Sequence, residues 1–329
     1  MSTPEYKELT LRDAIRDALA EEMRRDAHVI LIGEDVGRAG GVFKTFAGLY
    51  QEFGPERVRD TPISEAGIVG LGIGAAITGM RPVVDIMFGD FITLAMDQIV
   101  NQAAKLRYMT GGQLRVPLVV HTTLGAGRSA AAQHSQSLHA WLAHIPGLKV
   151  LLPSTPADAK GLLKAAIRDD NPVIFYEDKM MHNVSGPVSV SEVLVPIGKA
   201  DVKRAGEDVT LIATSSMVQV ALKAANLLAE RGIHAEVVDL RTLRPLDEAT
   251  ILASVRKTGR AVVVDEGYQS YGVTAEIAAL IAEKAFYHLD APVRRLGAMD
   301  VPIPFSPALE FETIPTEQQV AQVAESLFT

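Results

Sequence analysis

The 329-residue chain contains no cysteine, which removes disulfides, thiol nucleophiles and thiolate metal sites and fits a reducing compartment. Positive charge is in deficit: 32 Lys and Arg against 40 Asp and Glu give a formal net charge of −8, which argues against a nucleic-acid surface. No apolar run is long enough to span a bilayer; the most apolar uncharged stretch, residues 66–80, is too short, is also rich in glycine and is expected to be buried in protein. The opening MSTPEYKELT lacks both the basic-then-apolar order of a secretory signal and the Arg-rich character of a transit peptide, so a cytoplasmic location is expected. What is present is enough apolar residue, 48%, to bury large cores, and the length suggests two domains.

The rest of the chain is organised around RDTPISEAGIVGLGIGAAITGM, residues 59–80. Thr61-Pro62 forces an extended or turning approach. Ser64 and Glu65 sit where a helix begins, and Gly67, Gly70, Gly72, Gly74 and Gly79 follow. Each glycine costs a helix about 1 kcal/mol relative to alanine, which makes sense where a backbone or flat ligand must approach closely. Two readings of Glu65 stand open: an acid favoured by the helix dipole, or a desolvated carboxylate able to hold or exchange a proton with a ligand. The run from Gly70 to Ala75 also fits G-x-G-x-x-A, but the fingerprint should join a strand directly to a helix, and TPISEAG precedes it here.

In chain order, periodicity predicts a helix over 9–24 with Thr10 as cap, a strand over 28–32, a glycine-rich excursion over 38–55, and the helix that Glu65 opens. A strand over 83–88, one helix over 91–108, a strand over 116–123 and a long polar loop, LGAGRSAAAQHSQSLHAW, come next. Strands over 149–152 and 172–177 flank a helix over 156–168, and residues 182–198 read as a linker. A second alternation of strands and helices fills 209–296, and the proline-containing tail ends in a short amphipathic helix. The pattern predicts an α/β protein with mostly parallel sheets in two domains, 1–185 and 201–329, joined by a linker over 186–200.

Other candidates are weaker. His134, His139 and His144 are spaced by five, which puts them on different helix faces, and no thiolate accompanies them, so a histidine-ligated metal is disfavoured. His134, in the long loop, fits a polar active-site role, whereas His139 and His144 fit a core edge or an interface. Ser129 and Ser135 lack a nucleophile elbow. Glu34-Asp35 and Asp265-Glu266-Gly267 lie at strand ends, where open sheets bind ligands but where a capping or solvated role serves equally.

DTPISEAGIVGLGIGAA (60–76), IMFGDFITLAMDQIVNQAAKLRYMTGG (86–112), AAQHSQSLHAW (131–141), HIPGLKVLLPSTPADAKGLL (144–163), AIRDDNPVIF (166–175) and DLRTLRPLD (239–247) run in order across nearly the whole chain. In these motifs it resembles the beta subunit of the thiamine-diphosphate-dependent first component of 2-oxo acid dehydrogenases, the pyruvate, branched-chain 2-oxo acid and acetoin dehydrogenase family. The resemblance implies a transketolase-like pyrimidine-binding domain followed by a transketolase C-terminal-like domain. It implies that Glu65 hydrogen-bonds the cofactor's aminopyrimidine ring and supports its imino tautomer, that Met87 and Phe91 line the pyrimidine pocket, and that His134 stabilises intermediates and assists acyl transfer to a lipoyl arm. It further implies a potassium site of backbone carbonyls at Leu118, Ala166, Ile167, Asp169 and Asn171.

The family's magnesium-diphosphate motif, Gly-Asp-Gly followed by an asparagine, is absent. It belongs on the alpha subunit, so the resemblance implies half a site here, a heterotetramer of two alpha and two beta chains, and a partnership with a lipoyl acyltransferase and a dihydrolipoamide dehydrogenase. Oxidative decarboxylation of pyruvate or a branched-chain 2-oxo acid is the implied reaction, with acetoin cleavage as the alternative and a non-catalytic scaffold as a more distant one. His121 stands where similar chains usually carry arginine, and His182 where they usually carry tyrosine.

Overall fold

Strands that read as unbroken apolar runs are buried on both faces, and the segments of this kind here assemble into two parallel sheets. The computed structural model describes residues 5–329 and divides by contacts into two units, residues through Leu124 with Trp141–Ile197, and Gly125–Ala140 with Gly198–Thr329.

In the first unit the strands are β1 (Tyr6–Thr10), β2 (Val29–Gly33), β3 (Val58–Asp60), β4 (Arg81–Ile86), β5 (Val119–Leu124), β6 (Lys149–Leu151), β7 (Val173–Asp178) and β8 (Ser185–Ser189). β6, β7, β5, β4, β2 and β3 lie side by side in that order, all parallel. β2, β5 and β7 are buried along their whole length. The Leu11–Arg25 helix starts because the Thr10 side chain accepts the Asp13 N–H at 3.1 Å, and it buries Leu11, Ile15, Ala18, Leu19 and Met23 in a core shared with Leu162, Leu163 and Ile167 of the Pro156–Arg168 helix. Glu21 joins the two helices by accepting from Lys160 at 2.6 Å and Lys164 at 2.9 Å.

In the second unit the strands are β9 (Asp201–Arg204), β10 (Val209–Ala213), β11 (Ala235–Asp239), β12 (Thr242–Arg244), β13 (Ala261–Tyr268) and β14 (Arg294–Ala298). β14, β13, β10 and β11 are parallel, and β9 closes the edge antiparallel to β11. The helices Ser216–Ala229, Glu248–Thr258 and Val273–Ala285 alternate with these strands as expected for 209–296, and the tail carries two helices, Pro307–Thr313 and Glu317–Glu325, where the sequence suggested one.

Two local expectations change. The segment read as a linker contains β8, which pairs antiparallel with β1, Tyr6 opposite Ser189 and Thr10 opposite Ser185. Gly186 and Val188 point inward while Pro187 points out, and a proline is tolerated in so short a two-stranded ribbon. The helix expected over 91–108 is instead a 3-10 turn over Gly89–Ala95, a π turn over Gln98–Ala103 and an α segment over Ala104–Met109. Gly89 starts it where a Cβ would stand 2.3 Å from the Thr123 carbonyl oxygen.

Candidate functional site

Glu65 is the first residue of the Glu65–Ile77 helix, whose N-cap Ser64 accepts the Gly67 N–H at 3.3 Å. The chain reaches it from β3 along the carboxyl end of β2, where the Thr61 N–H donates to the Gly33 carbonyl at 3.0 Å. Glu65 is half-buried. Glu34, at the end of β2, has its carboxyl pushed above the ordinary range by burial, reinforced by the negative charges of Asp35, Glu65 and Asp85. Glu34, unresolved between two roles in the sequence, therefore sits within the electrostatic reach of Glu65 at the carboxyl ends of the strands.

The glycines of this helix divide by face. At Gly72 a Cβ would come within 2.5 Å of Val84 Cγ1 and 3.1 Å of Leu118 Cδ1, so its bare backbone lets the helix settle onto the sheet. On the outer face nothing lies within 4 Å of a Cβ at Gly74, Gly70 would meet only Gln98 Cγ at 3.8 Å, and Leu71 is 53% exposed. Ile63, just before the helix, is 75% exposed.

The helix also packs on β4 and on the Gly89–Ala103 segment; Met87 lies in the short link between the two, and Phe91 is in the second. Thr123 Oγ1 holds the Met87 carbonyl at 3.1 Å. Phe91 packs edge-on against Phe88, ring centroids 5.5 Å apart, and Phe88 against Phe43 at 5.4 Å. One unit thus carries a half-buried carboxylate together with a wall of Met and Phe. That combination can take a flat, weakly basic ring: apolar faces for its plane and a carboxylate for a ring nitrogen.

The five carbonyls assigned to potassium are in the same unit, and four already accept an N–H. Arg81 Nη1 donates to the carbonyls of Ile167 at 3.0 Å and Asp169 at 3.1 Å, while Leu118 O accepts from Val173 and Ala166 O from Asp169. Arg81 Nη2 also bonds Asp170 Oδ1 at 2.8 Å.

His134 belongs to the second unit, on the long loop, half-buried, its N–H donating to the Ala131 carbonyl at 3.2 Å. Two non-glycine residues just before it, Ser129 at φ 51° and Ala131 at φ 61°, adopt left-handed backbone. Buried acids hold this unfavourable path. Glu310 Oε1 accepts the Gly127 N–H and Oε2 the Ser129 N–H, both at 2.8 Å, and Glu266 Oε1 accepts the Ala126 N–H at 2.6 Å. At the far end His139 Nε2 lies 2.8 Å from Asp265 Oδ2. The loop is therefore a fixed support for His134.

Of the three loop-region histidines, His139 is 1% exposed and paired, whereas His144 is exposed. Sequence reasoning left Glu266 ambiguous and did not single out Glu310. The only available signal for Glu310 was an isolated acid in the proline-flanked VPIPFSPALE.

Residues 7–183 match the family model of the transketolase pyrimidine binding domain and residues 198–320 that of the transketolase C-terminal domain. The chain is 50% identical to the acetoin:2,6-dichlorophenolindophenol oxidoreductase subunit beta of Bacillus subtilis, over 97% of both chains. The chain belongs to the transketolase-like beta subunits of the 2-oxo acid and acetoin dehydrogenases. This beta subunit is also 50% identical to the mitochondrial pyruvate dehydrogenase E1 component subunit beta-1 of Arabidopsis thaliana, covering 97% of this chain and 89% of that one. It is 49% identical to the 2-oxoisovalerate dehydrogenase subunit beta of Bacillus subtilis, covering 91% and 92%. Among solved structures, a split-gene transketolase described as an inactive beta4 tetramer shares the fold of the beta subunit at a TM-score of 0.81 and 24% identity, over 97% of this chain and 98% of that one. The transketolase-like fold with two mostly parallel α/β sheets and the oxidoreductase class are thus established for the family to which the beta subunit belongs. No helix among the described residues is long and apolar enough to cross a membrane.

Proposed function

We propose that this beta subunit forms one half of a thiamine-diphosphate-dependent dehydrogenase that decarboxylates a 2-oxo acid, pyruvate or a branched-chain one, and passes the acyl group to lipoyl arms of an acyltransferase, with a dihydrolipoamide dehydrogenase completing the cycle. Acetoin cleavage is the second reading; the 50% identity to the acetoin:2,6-dichlorophenolindophenol oxidoreductase subunit beta is equalled by that to the pyruvate dehydrogenase E1 component subunit beta-1 and does not favour it. The observation that carries the proposal is Glu65, a half-buried carboxylate opening a helix that packs on β4 and the Gly89–Ala103 segment, which flank Met87 and include Phe91, and that is uncovered on its other face.

Thiamine diphosphate, when bound, supplies the electron sink for decarboxylation. Met87 and Phe91 orient its aminopyrimidine ring, and Glu65 holds or returns the proton at a ring nitrogen. His134 serves as the proton donor and acceptor during acyl transfer. We assign Mg2+ and the diphosphate to an alpha subunit in a heterotetramer of two alpha and two beta chains, since the Gly-Asp-Gly motif is absent from this sequence. The open face of the Glu65–Ile77 helix, with Gly70 and Gly74, suits close approach by such a partner. Potassium at Leu118, Ala166, Ile167, Asp169 and Asn171 would have to share the Ile167 and Asp169 carbonyls with the Arg81 guanidinium that already donates to them. Residues 1–185 would form the pyrimidine-binding domain and 201–329 the C-terminal domain, with 186–200 between, acting in the cytoplasm.

The test is turnover of pyruvate, branched-chain 2-oxo acids and acetoin by the beta subunit co-expressed with the alpha subunit from its own genome. Glu65→Gln should lower kcat by at least about a thousandfold, the scale of a lost acid–base group, while the complex still assembles. Retained activity removes Glu65 from the mechanism.

A further inference from the structure

The two histidines that depart from the family pattern converge on one buried carboxylate in the first unit. His121, on β5, lies between acids of its two neighbouring strands: Nδ1 is 2.7 Å from Asp85 Oδ1 on β4, and Nε2 is 3.2 Å from Glu177 Oε2 on β7. His182 Nε2 stands 3.1 Å from Glu177 Oε1, and Thr45 Oγ1 donates to Glu177 Oε2 at 3.2 Å. None of these five side chains belongs to a residue more than 7% exposed. An imidazole hydrogen-bonded to one carboxylate through Nδ1 and within ion-pair distance of a second at Nε2 serves both best when doubly protonated. Burial opposes that charge, but Asp85 and Glu177 outweigh it and push the His121 pKa up to about 9.

The cluster reaches the proposed cofactor wall by two routes. Gly41, Phe43 and Met87 line a small cavity with Asp85, His121 and Glu177. The Phe46 ring packs edge-on to His121 at 5.3 Å, and the Phe43 ring lies 4.8 Å from that of His182 and 5.4 Å from Phe88, which contacts Phe91. The 41–46 segment is thus tied to β5 and β7 through Thr45 and the rings, and it backs Met87 and Phe88.

We propose that His121, through Glu177 and with His182, is a positioning residue for the cofactor-binding wall, its charged ring tying the 41–46 segment to the sheet and so holding Met87 and Phe91 in place. The inference rests on the reading of Met87 and Phe91 given above. His121 is a group that loses its charge in alkali. The ionisable groups around it are Asp85, Glu177 and His182, and Asp85 in turn raises the carboxyl of Glu34 at the end of β2. Deprotonation leaves one N–H for two buried carboxylates, and the anchor fails.

The test uses the complex of this chain with its alpha subunit, as wild type, His121→Arg and His121→Gln, from about pH 7 to about pH 10. Hydrogen exchange of peptides covering 41–46 is read without cofactor and corrected for the intrinsic base-catalysed rate; affinity for thiamine diphosphate with Mg2+ is read by calorimetry. In wild type, exchange should rise and affinity fall, each by about tenfold between about pH 8 and about pH 10, following loss of the imidazolium. His121→Arg should be flat in both, and His121→Gln should show the alkaline behaviour already at neutral pH. Identical pH profiles in wild type and His121→Arg, or unchanged exchange in His121→Gln, overturn the proposal. His182→Phe supplies a variant that keeps His121: faster exchange of 41–46 at neutral pH supports the cluster, and unchanged exchange contradicts it. Absence of cofactor binding by the wild-type complex at every pH contradicts the proposed function instead, and the exchange measurement still decides whether His121 positions the segment.

Discussion

His139 and Asp265, 126 residues apart in sequence, meet at 2.8 Å with both side chains fully buried, and Asp265 also accepts from the Thr214 hydroxyl and the Gly267 N–H. Burial works against the Asp265 charge, but the His139, Thr214 and Gly267 contacts outweigh it and hold the carboxyl below its usual range. Its contribution to stability is therefore present above the ordinary carboxylate pKa and is lost as pH falls through the lowered one. His139→Ala leaves an uncompensated buried carboxylate and should cost about 3–5 kcal/mol in urea unfolding near neutral pH. Because that carboxylate would titrate at a raised pKa, the penalty should shrink on acidification. A penalty that is independent of pH would mean the pair contributes by packing alone.

Glu310 holds two alternate N–H groups of the loop that presents His134. Glu310→Ala should free the 127–131 backbone to leave its left-handed conformations, which cost about 1–2 kcal/mol per non-glycine residue. Proteolysis within 125–136 should accelerate, and in the complex kcat for lipoyl acylation should fall by about tenfold or more while cofactor affinity holds. Equal losses in affinity and kcat would place Glu310 in general stability instead of in the support of His134.

The two faces of the Glu65–Ile77 helix should answer oppositely to one added methyl. Gly72→Ala meets Val84 Cγ1 at 2.5 Å and should destabilise the lone chain by about 1–3 kcal/mol. Gly74→Ala has nothing within 4 Å and should stabilise it by up to about 1 kcal/mol through helix propensity, yet weaken assembly with the alpha subunit if that face is the contact. Thermal melts of the lone chain and sedimentation of the co-expressed pair separate the two effects.

Potassium, if it uses the five carbonyls near Arg81, should raise the melting temperature by about 2 °C or more over sodium at equal ionic strength. No difference between the two salts leaves the Arg81 guanidinium as the cation of that site.

Much of this was legible because it is local. Apolar periodicity outlines the helices from Leu11, Glu65 and Pro156, and unbroken apolar runs mark the parallel strands. Proline 187 and its flanking serines masked β8, because a two-stranded ribbon needs only alternation and an edge that tolerates a missing N–H. The 3-10 and π turns of 89–103 could not be read because their residues carry ordinary helical periodicity. Glu65 stood out by its neighbours in sequence. Glu177 and Glu310 did not, since Thr45 lies 132 residues from the one and Gly127 183 residues from the other, and Asp265 stayed open between two roles because His139 lies 126 residues away.

The most direct test of the central claim, that this chain holds half a thiamine diphosphate site built on Glu65, is calorimetric titration of the cofactor with Mg2+ into the chain alone and into its pair with the alpha subunit. The account predicts binding to the pair and none to the lone chain. Tight, magnesium-dependent binding to the lone chain would contradict it, because the chain would then carry a diphosphate site of its own.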